Sequence, residues 1–177
     1  MASQEKQPPG TRTNWQVGSA WTNIDNIMAL DAAYATVTGA GPSAGYILSN
    51  WGFAIPSNSI ITGVKAVVTA HANAADIPFY PSLCLTGGPA SSPKTMILGT
   101  TPGGTLTFGG ASDLWGVGPT PAIVNAAAFG ITVICDPDAS TVSVDGVVMT
   151  VYYEENFLTG IPLHRMRRGF RSLRITR

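Results

Sequence analysis

Charge is what this sequence has least of. Only 11% of its 177 residues are Asp, Glu, Lys or Arg, under half of the roughly 25% usual for soluble domains. Disorder does not follow, because 45% of the chain is hydrophobic and disordered chains pair low hydrophobicity with high net charge. A surface so poor in charge is weakly protected against association, which fits a protein packed against neighbours. Long apolar runs are also missing. The longest, "AIVNAAAFGITVIC", contains Asn125 and stops at Asp136, short of the ~18–20 residues a membrane span needs. The opening "MASQEKQPPG" carries Glu5 and Lys6 and lacks the apolar h-region of a secretory signal. Cysteine is down to Cys84 and Cys135 and histidine to His71 and His164. Without CxxC spacing or a histidine cluster, no metal site is expected. Each cysteine lies in an alternating apolar run and reads as a buried thiol, with a disulfide as the alternative.

Glycine (20 residues) and proline (13) are plentiful and scattered, the punctuation of short strands joined by tight turns. The length suits one well-buried domain. "IITGVKAVVTAHA" puts Val64, Ala66, Val68 and Ala70 on one side and Lys65, Val67, Thr69 and His71 on the other, the period of two of a half-buried strand. "TLTFGG" alternates in the same way. "GYILSNWGFAI", "FYPSLCLT", "FGITVICD" and "STVSVDGVVMTVYYE" read as further strands. In the last, Val147, Met149, Val151 and Tyr153 share a face, and Asp145-Gly146 marks a turn or a bulge. "NIMALDAAYATV" is the best helix candidate, passing into a strand near Tyr34–Thr38. "ASDLWGVGPTPAIVN" reads as a loop anchored by Leu114 and Trp115. The expected fold is all-β, an antiparallel β-sandwich of jelly-roll type. Residues 1–13 are expected to form a flexible N-terminal arm, 14–157 the sandwich and 158–177 a basic C-terminal arm.

Catalytic constellations are sparse. His71 sits in an Ala-rich strand with no G-x-S-x-G elbow before it, and reads as a packed residue, not a general base. Asp136 and Asp138 flank Pro137 and read as turn residues, although paired carboxylates also serve glycoside hydrolysis. Asp25, Asn26 and Asp31 offer oxygens to a structural cation, in a spacing unlike the EF-hand loop. Trp15, Trp21, Trp51 and Trp115 suit core and interface packing, with a sugar-stacking platform as the rival use. The expectation is a protein that is not an enzyme and needs no cofactor or metal.

Several landmarks fall in a fixed order: "WTN" at Trp21–Asn23, Asn26, "DAAYA" from Asp31, "FAIPSNSIITGVKAVV" from Phe53, "SDLWG" ending at Gly116, "VNAAAFGITV" from Val124 and "VSVDGVVMTVYY" from Val142. In this order and spacing they resemble a β-sandwich module of tailed-bacteriophage structural proteins that also occurs in some bacterial surface proteins. The resemblance spans about residues 15–153. It implies a jelly-roll-like module without a cofactor, used for building or binding at a virion surface as a head-decoration (cement) protein, spike or fibre. Neither chain end belongs to the shared pattern.

The C-terminal end has its own character. "LHRMRRGFRSLRITR", Leu163–Arg177, holds six of the ten basic residues and no acid, while the rest of the chain has four bases and ten acids. Leu163, Met166, Phe170 and Leu173 are spaced as one face of a helix, with Arg165, Arg167, Arg168, Arg171 and Arg174 over the remainder. Gly169 weakens such a helix by about 1 kcal/mol relative to Ala, and the segment is near the length at which isolated helices are marginal. It is expected to order on a partner. An acidic protein surface, nucleic acid and an anionic membrane all suit an Arg-rich arm, and a solvated tail is the plain alternative. The arm carries apolar anchors that phosphate binding does not require, and an acidic body repels DNA and anionic lipid, so the protein surface is favoured. Arg165, Met166, Arg167, Arg168, Phe170, Arg171, Leu173 and Arg174 are therefore the candidate docking residues. The expected partners are the major capsid protein of a phage head and further copies of this chain, as a homotrimer on the head surface. A fibre module or a carbohydrate-binding surface module is the alternative.

Overall fold

The computed structural model describes residues 1–7 and 9–156 and shows an all-β sandwich. Its strands are β1 (Ala2–Lys6), β2 (Thr11–Gln16), β3 (Trp21–Thr22), β4 (Ala35–Thr38), β5 (Gly45–Ser49), β6 (Ser59–Ala72), β7 (Pro78–Phe79), β8 (Leu83–Cys84), β9 (Met96–Ile97), β10 (Thr105–Gly109), β11 (Gly130–Val133) and β12 (Thr141–Glu155). A one-turn 3-10 helix covers Ile24–Ile27, and a one-turn helix, α1, covers Pro121–Val124. The larger sheet runs β10-β6-β12-β4-β3, with β1 beside the second half of β12. The smaller runs β2-β5-β11-β8, and β7 pairs with β9 in a short ribbon. Every ladder is antiparallel.

The two longest strands, β6 and β12, pair along their whole length and form the spine of the larger sheet. The alternation of β6 is the one its sequence shows: Val64, Ala66, Val68 and Ala70 are buried, and Lys65, Val67, Thr69 and His71 are half-buried. In β12 the buried set changes parity, from Val142 and Val144 to Val147, Met149 and Val151. A register shift between Val144 and Gly146 explains the change. The extra residue, Asp145, makes a bulge that keeps both halves of β12 facing the core; without it one half would turn outward. The buried Asp145 carboxylate accepts hydrogen bonds from the N–H groups of Asp31 (3.2 Å) and Ala32 (3.1 Å). Between the sheets, Val64, Val68, Met149 and Val151 meet Leu48, Leu83, Ile131 and Val133 in one core. Full burial of each such side chain stabilises the fold by about 1.5–3 kcal/mol. Phe53 and Phe129 add an edge-to-face pair at 6.0 Å.

The "DLWG" loop is closed by its own residues. Trp115 is buried at a positive φ of 59°. Its backbone N–H donates to the Asp113 carboxylate (2.8 Å), and its indole N–H donates to the Val64 carbonyl (2.9 Å). Gly109 leaves the space the indole occupies, since a Cβ there would come within 2.6 Å of Trp115 Nε1. Lys94 pairs with Asp113 at 2.8 Å and lies 5.2 Å from the centre of the Trp115 ring.

Two expectations are corrected. Residues 1–13, expected as a flexible arm, instead carry all of β1 and the first half of β2. The expected domain boundary at residue 14 therefore falls inside a strand. These segments are held at sheet edges by backbone bonds, so their polar side chains are no obstacle. The side-chain amide of Gln4 also exchanges two hydrogen bonds with the Ala54 backbone, at 2.9 and 3.0 Å. The helix expected over "NIMALDAAYATV" is reduced to the 3-10 turn and β4. Met28 bridges to Gly146, and Asp31 and Ala32 cap Asp145, so the backbone there bonds to β12 and not to itself.

Candidate functional site

The expected docking residues, Arg165, Met166, Arg167, Arg168, Phe170, Arg171, Leu173 and Arg174, lie outside the described residues. The described strand that precedes them in the chain is β12. Glu155 is the last residue of β12, and Ala2 pairs with Tyr153 beside it. The N-terminus and the last residues of β12 thus share one end of the sandwich.

At the opposite end, on the outer side of the smaller sheet, lies a cleft of about 490 Å³. Trp15, Pro42, Tyr80, Pro89, Pro93 and Ile134 give it a mainly apolar lining. The β2–β5 ladder slips between Asn14 and Gln16, making Trp15 the extra residue of a bulge, and bulges commonly re-aim a side chain. The indole then rests on Gly45, where a Cβ would come within 2.7 Å of Trp15 Nε1 and 2.9 Å of Cε2. With 39% of its surface exposed, Trp15 is the open tryptophan of the described chain. The other three are buried, each donating its indole N–H to a backbone carbonyl: Trp21 to Ala44 (2.8 Å), Trp51 to Leu48 (3.1 Å) and Trp115 to Val64 (2.9 Å). They serve packing, and a platform of several tryptophans is not formed.

Across the cleft, Tyr80 is placed by its backbone N–H bond to the Ile134 carbonyl (3.1 Å). Burial pushes its phenol above the usual value of 10.0, and the charges of Asp136 and Cys135 push the same way. Two hydroxyls on the floor already accept backbone N–H groups, Thr132 from Ser82 (2.7 Å) and Ser91 from Leu83 (2.8 Å). No basic side chain lines the cleft. Lys94, next to Pro93, is turned to Asp113, and Arg12 bonds to Asp25 at 2.7 Å.

The remaining polar candidates are dispersed. Asp25 goes to Arg12, the Asn26 amide donates to the Tyr34 carbonyl (3.1 Å), and the Asp31 carboxylate accepts from the Ala33 N–H (3.0 Å). These three do not converge on a cation, and the described residues contain no group of three or more His, Cys, Asp or Glu side chains placed to hold a metal. His71 packs edge-on against Tyr34 at 5.0 Å, its Nδ1 buried without a hydrogen-bond partner. Cys84 and Cys135 are free buried thiols, each pushed up to about 12, chiefly by burial. Sequence reasoning missed the cleft. No local pattern announces it, since Gly45, on which Trp15 rests, lies thirty residues further along the chain.

No family model and no curated protein matches this sequence.

Proposed function

We propose that this chain is a non-enzymatic structural protein of a phage particle, a decoration or cement protein on the head surface. In this reading its jelly-roll-like bodies associate as trimers, and its basic C-terminal arm docks on acidic protein surfaces of the assembled shell. The separation of charge carries the reading. Among the described residues, ten acids face four bases, and two of those bases, Arg12 and Lys94, are already paired with carboxylates. The six arginines of Leu163–Arg177 have no acid among them and are interleaved with apolar anchors. Several modest arm contacts per oligomer add up to a tight grip through effective concentration. The all-β body supports the reading as a scaffold, and the resemblance of its motifs to phage modules supplies the particle.

The test is the copy number of this chain relative to the major capsid protein in purified particles. A value near the number of capsid subunits is expected. Few copies would point to a fibre or spike, and absence would overturn the virion reading in favour of a surface module for carbohydrate. Deleting residues 161–177 should then abolish particle binding while the body stays folded.

A further inference from the structure

We propose that the open edge of β10 is where this chain pairs with a second copy of itself, strand to strand and antiparallel, so that the larger sheets of two sandwiches join into one. This contact goes beyond the reading above and depends neither on the basic arm nor on a particle.

The hydrogen-bonding phase of β10 shows which of its backbone groups are free. The Ala70 N–H donates to the Gly104 carbonyl (2.9 Å), and the Gly110 N–H donates to the Val64 carbonyl (3.1 Å). Between these two bonds β10 and β6 pair without a slip. Bonding to one neighbour alternates along an antiparallel strand. Leu106 and Phe108 therefore bond to β6, while Thr105 and Thr107 turn their N–H and C=O groups to the other side. Among the described residues nothing bonds to those outward groups. Both threonine side chains are exposed, and Leu106 and Phe108 are buried in the core.

This edge also lacks the devices that keep strand edges apart, namely charge, proline, bulges and brevity. No charged residue lies between Lys94 and Asp113, and those two pair with each other at 2.8 Å. The other edges are guarded. β1 carries Glu5 and Lys6, and β2 carries Arg12 and the Trp15 bulge. β3 and β8 are two residues long, and the Leu83 carbonyl of β8 is taken by the Ala90 and Ser91 N–H groups.

A second copy fits because the edge is self-complementary. Thr105-Leu106-Thr107 reads the same in both directions. A two-fold axis beside Leu106 sets Thr105 opposite Thr107 of the second copy, and Thr107 opposite Thr105 of the second copy. Each pair brings outward N–H and C=O groups together and exchanges both hydrogen bonds, and threonine pairs across strands are themselves favourable. On the inner face Leu106 meets Leu106 of the second copy and continues the core layer. Exposed apolar surface lies near the same edge. The Ala72 N–H donates to the Gly99 carbonyl (2.9 Å) on the side of β6 that β10 occupies, which brings Met96 and Ile97, 38% and 51% exposed, close to it. This match at each position favours a copy over a foreign strand. The contact is isologous, so it can join two bodies or two trimers of them.

The experiment uses the full-length chain. Sedimentation should show its mass doubling as concentration rises. NMR hydrogen exchange should show the Thr105 and Thr107 amides gaining protection in step, while β6 protects Leu106 and Phe108 at every concentration. Thr107→Pro removes an outward N–H and no bond to β6. It should weaken the doubling about tenfold, since the axis removes that donor twice. Thr105→Lys keeps every backbone group and should act in the same direction, by placing like charges on either side of the axis. Circular dichroism verifies that both variants are folded. A mass that never doubles, or a doubling that both variants retain, would overturn the proposal. So would protection of Thr105 and Thr107 that is independent of concentration, because a segment of the same chain would then cover the edge. No particle is present in this experiment, so its failure leaves the virion reading to be decided by copy number.

Discussion

The indole of Trp15 lies against the backbone of Gly45, in the space a side chain would fill. Each residue explains the other: the bulge aims the ring at β5, and the missing Cβ lets it lie flat there. Gly45→Ala should therefore move Trp15 and leave the sandwich intact. The displaced group is a partly exposed side chain and not backbone, so the cost is limited to about 1–2 kcal/mol. A red shift and a rise in acrylamide quenching of tryptophan fluorescence, with unchanged circular dichroism, is the expected result. An unchanged spectrum would mean that the ring is not seated on Gly45.

Asp145 has the opposite status, being polar, buried and placed at the bulge that sets the register of β12. Its carboxylate bonds to the N–H groups of Asp31 and Ala32, and Ala32 is held at a positive φ of 64°. Asp145→Ala should cost about 2–3 kcal/mol, since it leaves buried donors unpaired. Asp145→Asn keeps one acceptor oxygen and should cost about half as much. Ala32→Gly should stabilise by up to about 1 kcal/mol, because glycine adopts that φ without strain. Denaturant melts of the three variants check the order. Equal losses for Ala and Asn would show that the carboxylate oxygen does not hold the Asp31–Ala32 turn.

The two buried thiols set an alkaline limit. Each has an ordinary value of 9.0 and is pushed up to about 12 in the folded protein, chiefly by burial. The folded state holds these protons more tightly than the unfolded state. Their contribution is therefore fully present below about pH 9 and is lost as pH rises toward 12. Asp113 works in the other direction. Its hydrogen bond from Lys94 is the main cause of a carboxyl below the usual 3.8, so its contribution is present above that pH and is lost as pH falls through the lowered value. Stability scanned from pH 3 to 11 should fall at both ends, and the alkaline fall should shrink in the Cys84→Ala, Cys135→Ala double variant. At neutral pH, Ellman's reagent should find neither thiol in the folded chain and both in denaturant.

The parts that were legible in the sequence are those where burial alternates along one strand. Val64 to Ala70 and Val147 to Tyr153 announce their faces because every second residue meets the core. The Asp145-Gly146 step was legible as a turn or bulge, and the parity of its flanking valines is what decides for the bulge. β1 was not legible, because Ala2–Lys6 sits at an edge and needs backbone bonds more than apolar side chains. The cleft was hidden for a different reason. Trp15, Pro42, Tyr80, Pro89 and Ile134 come from distant parts of the chain, and only the pairing of β2, β5, β11 and β8, with the Tyr80–Ile134 and Cys84–Pro89 contacts beside it, brings them together.

The N-terminal strand offers the most direct check on the corrected boundary. β1 covers the edge of β12 from Met149 to Tyr153. The Gln4 amide ties it to Ala54, and the Glu5 carboxylate accepts the Thr150 hydroxyl at 3.2 Å. Gln4→Ala removes two partly solvated hydrogen bonds and should cost about 1 kcal/mol. Deleting residues 1–6 should cost more, because it bares the hydrogen-bonding edge of β12 where Met149 and Val151 are buried. A bared edge is also a template for intermolecular pairing, so the truncated chain should aggregate at concentrations the full chain tolerates. Hydrogen exchange is the decisive measurement, with protection falling in residues 149–153 and holding in residues 141–144, which β4 still covers. Unchanged protection throughout β12 would return residues 1–6 to the loose polar lead that their composition indicates.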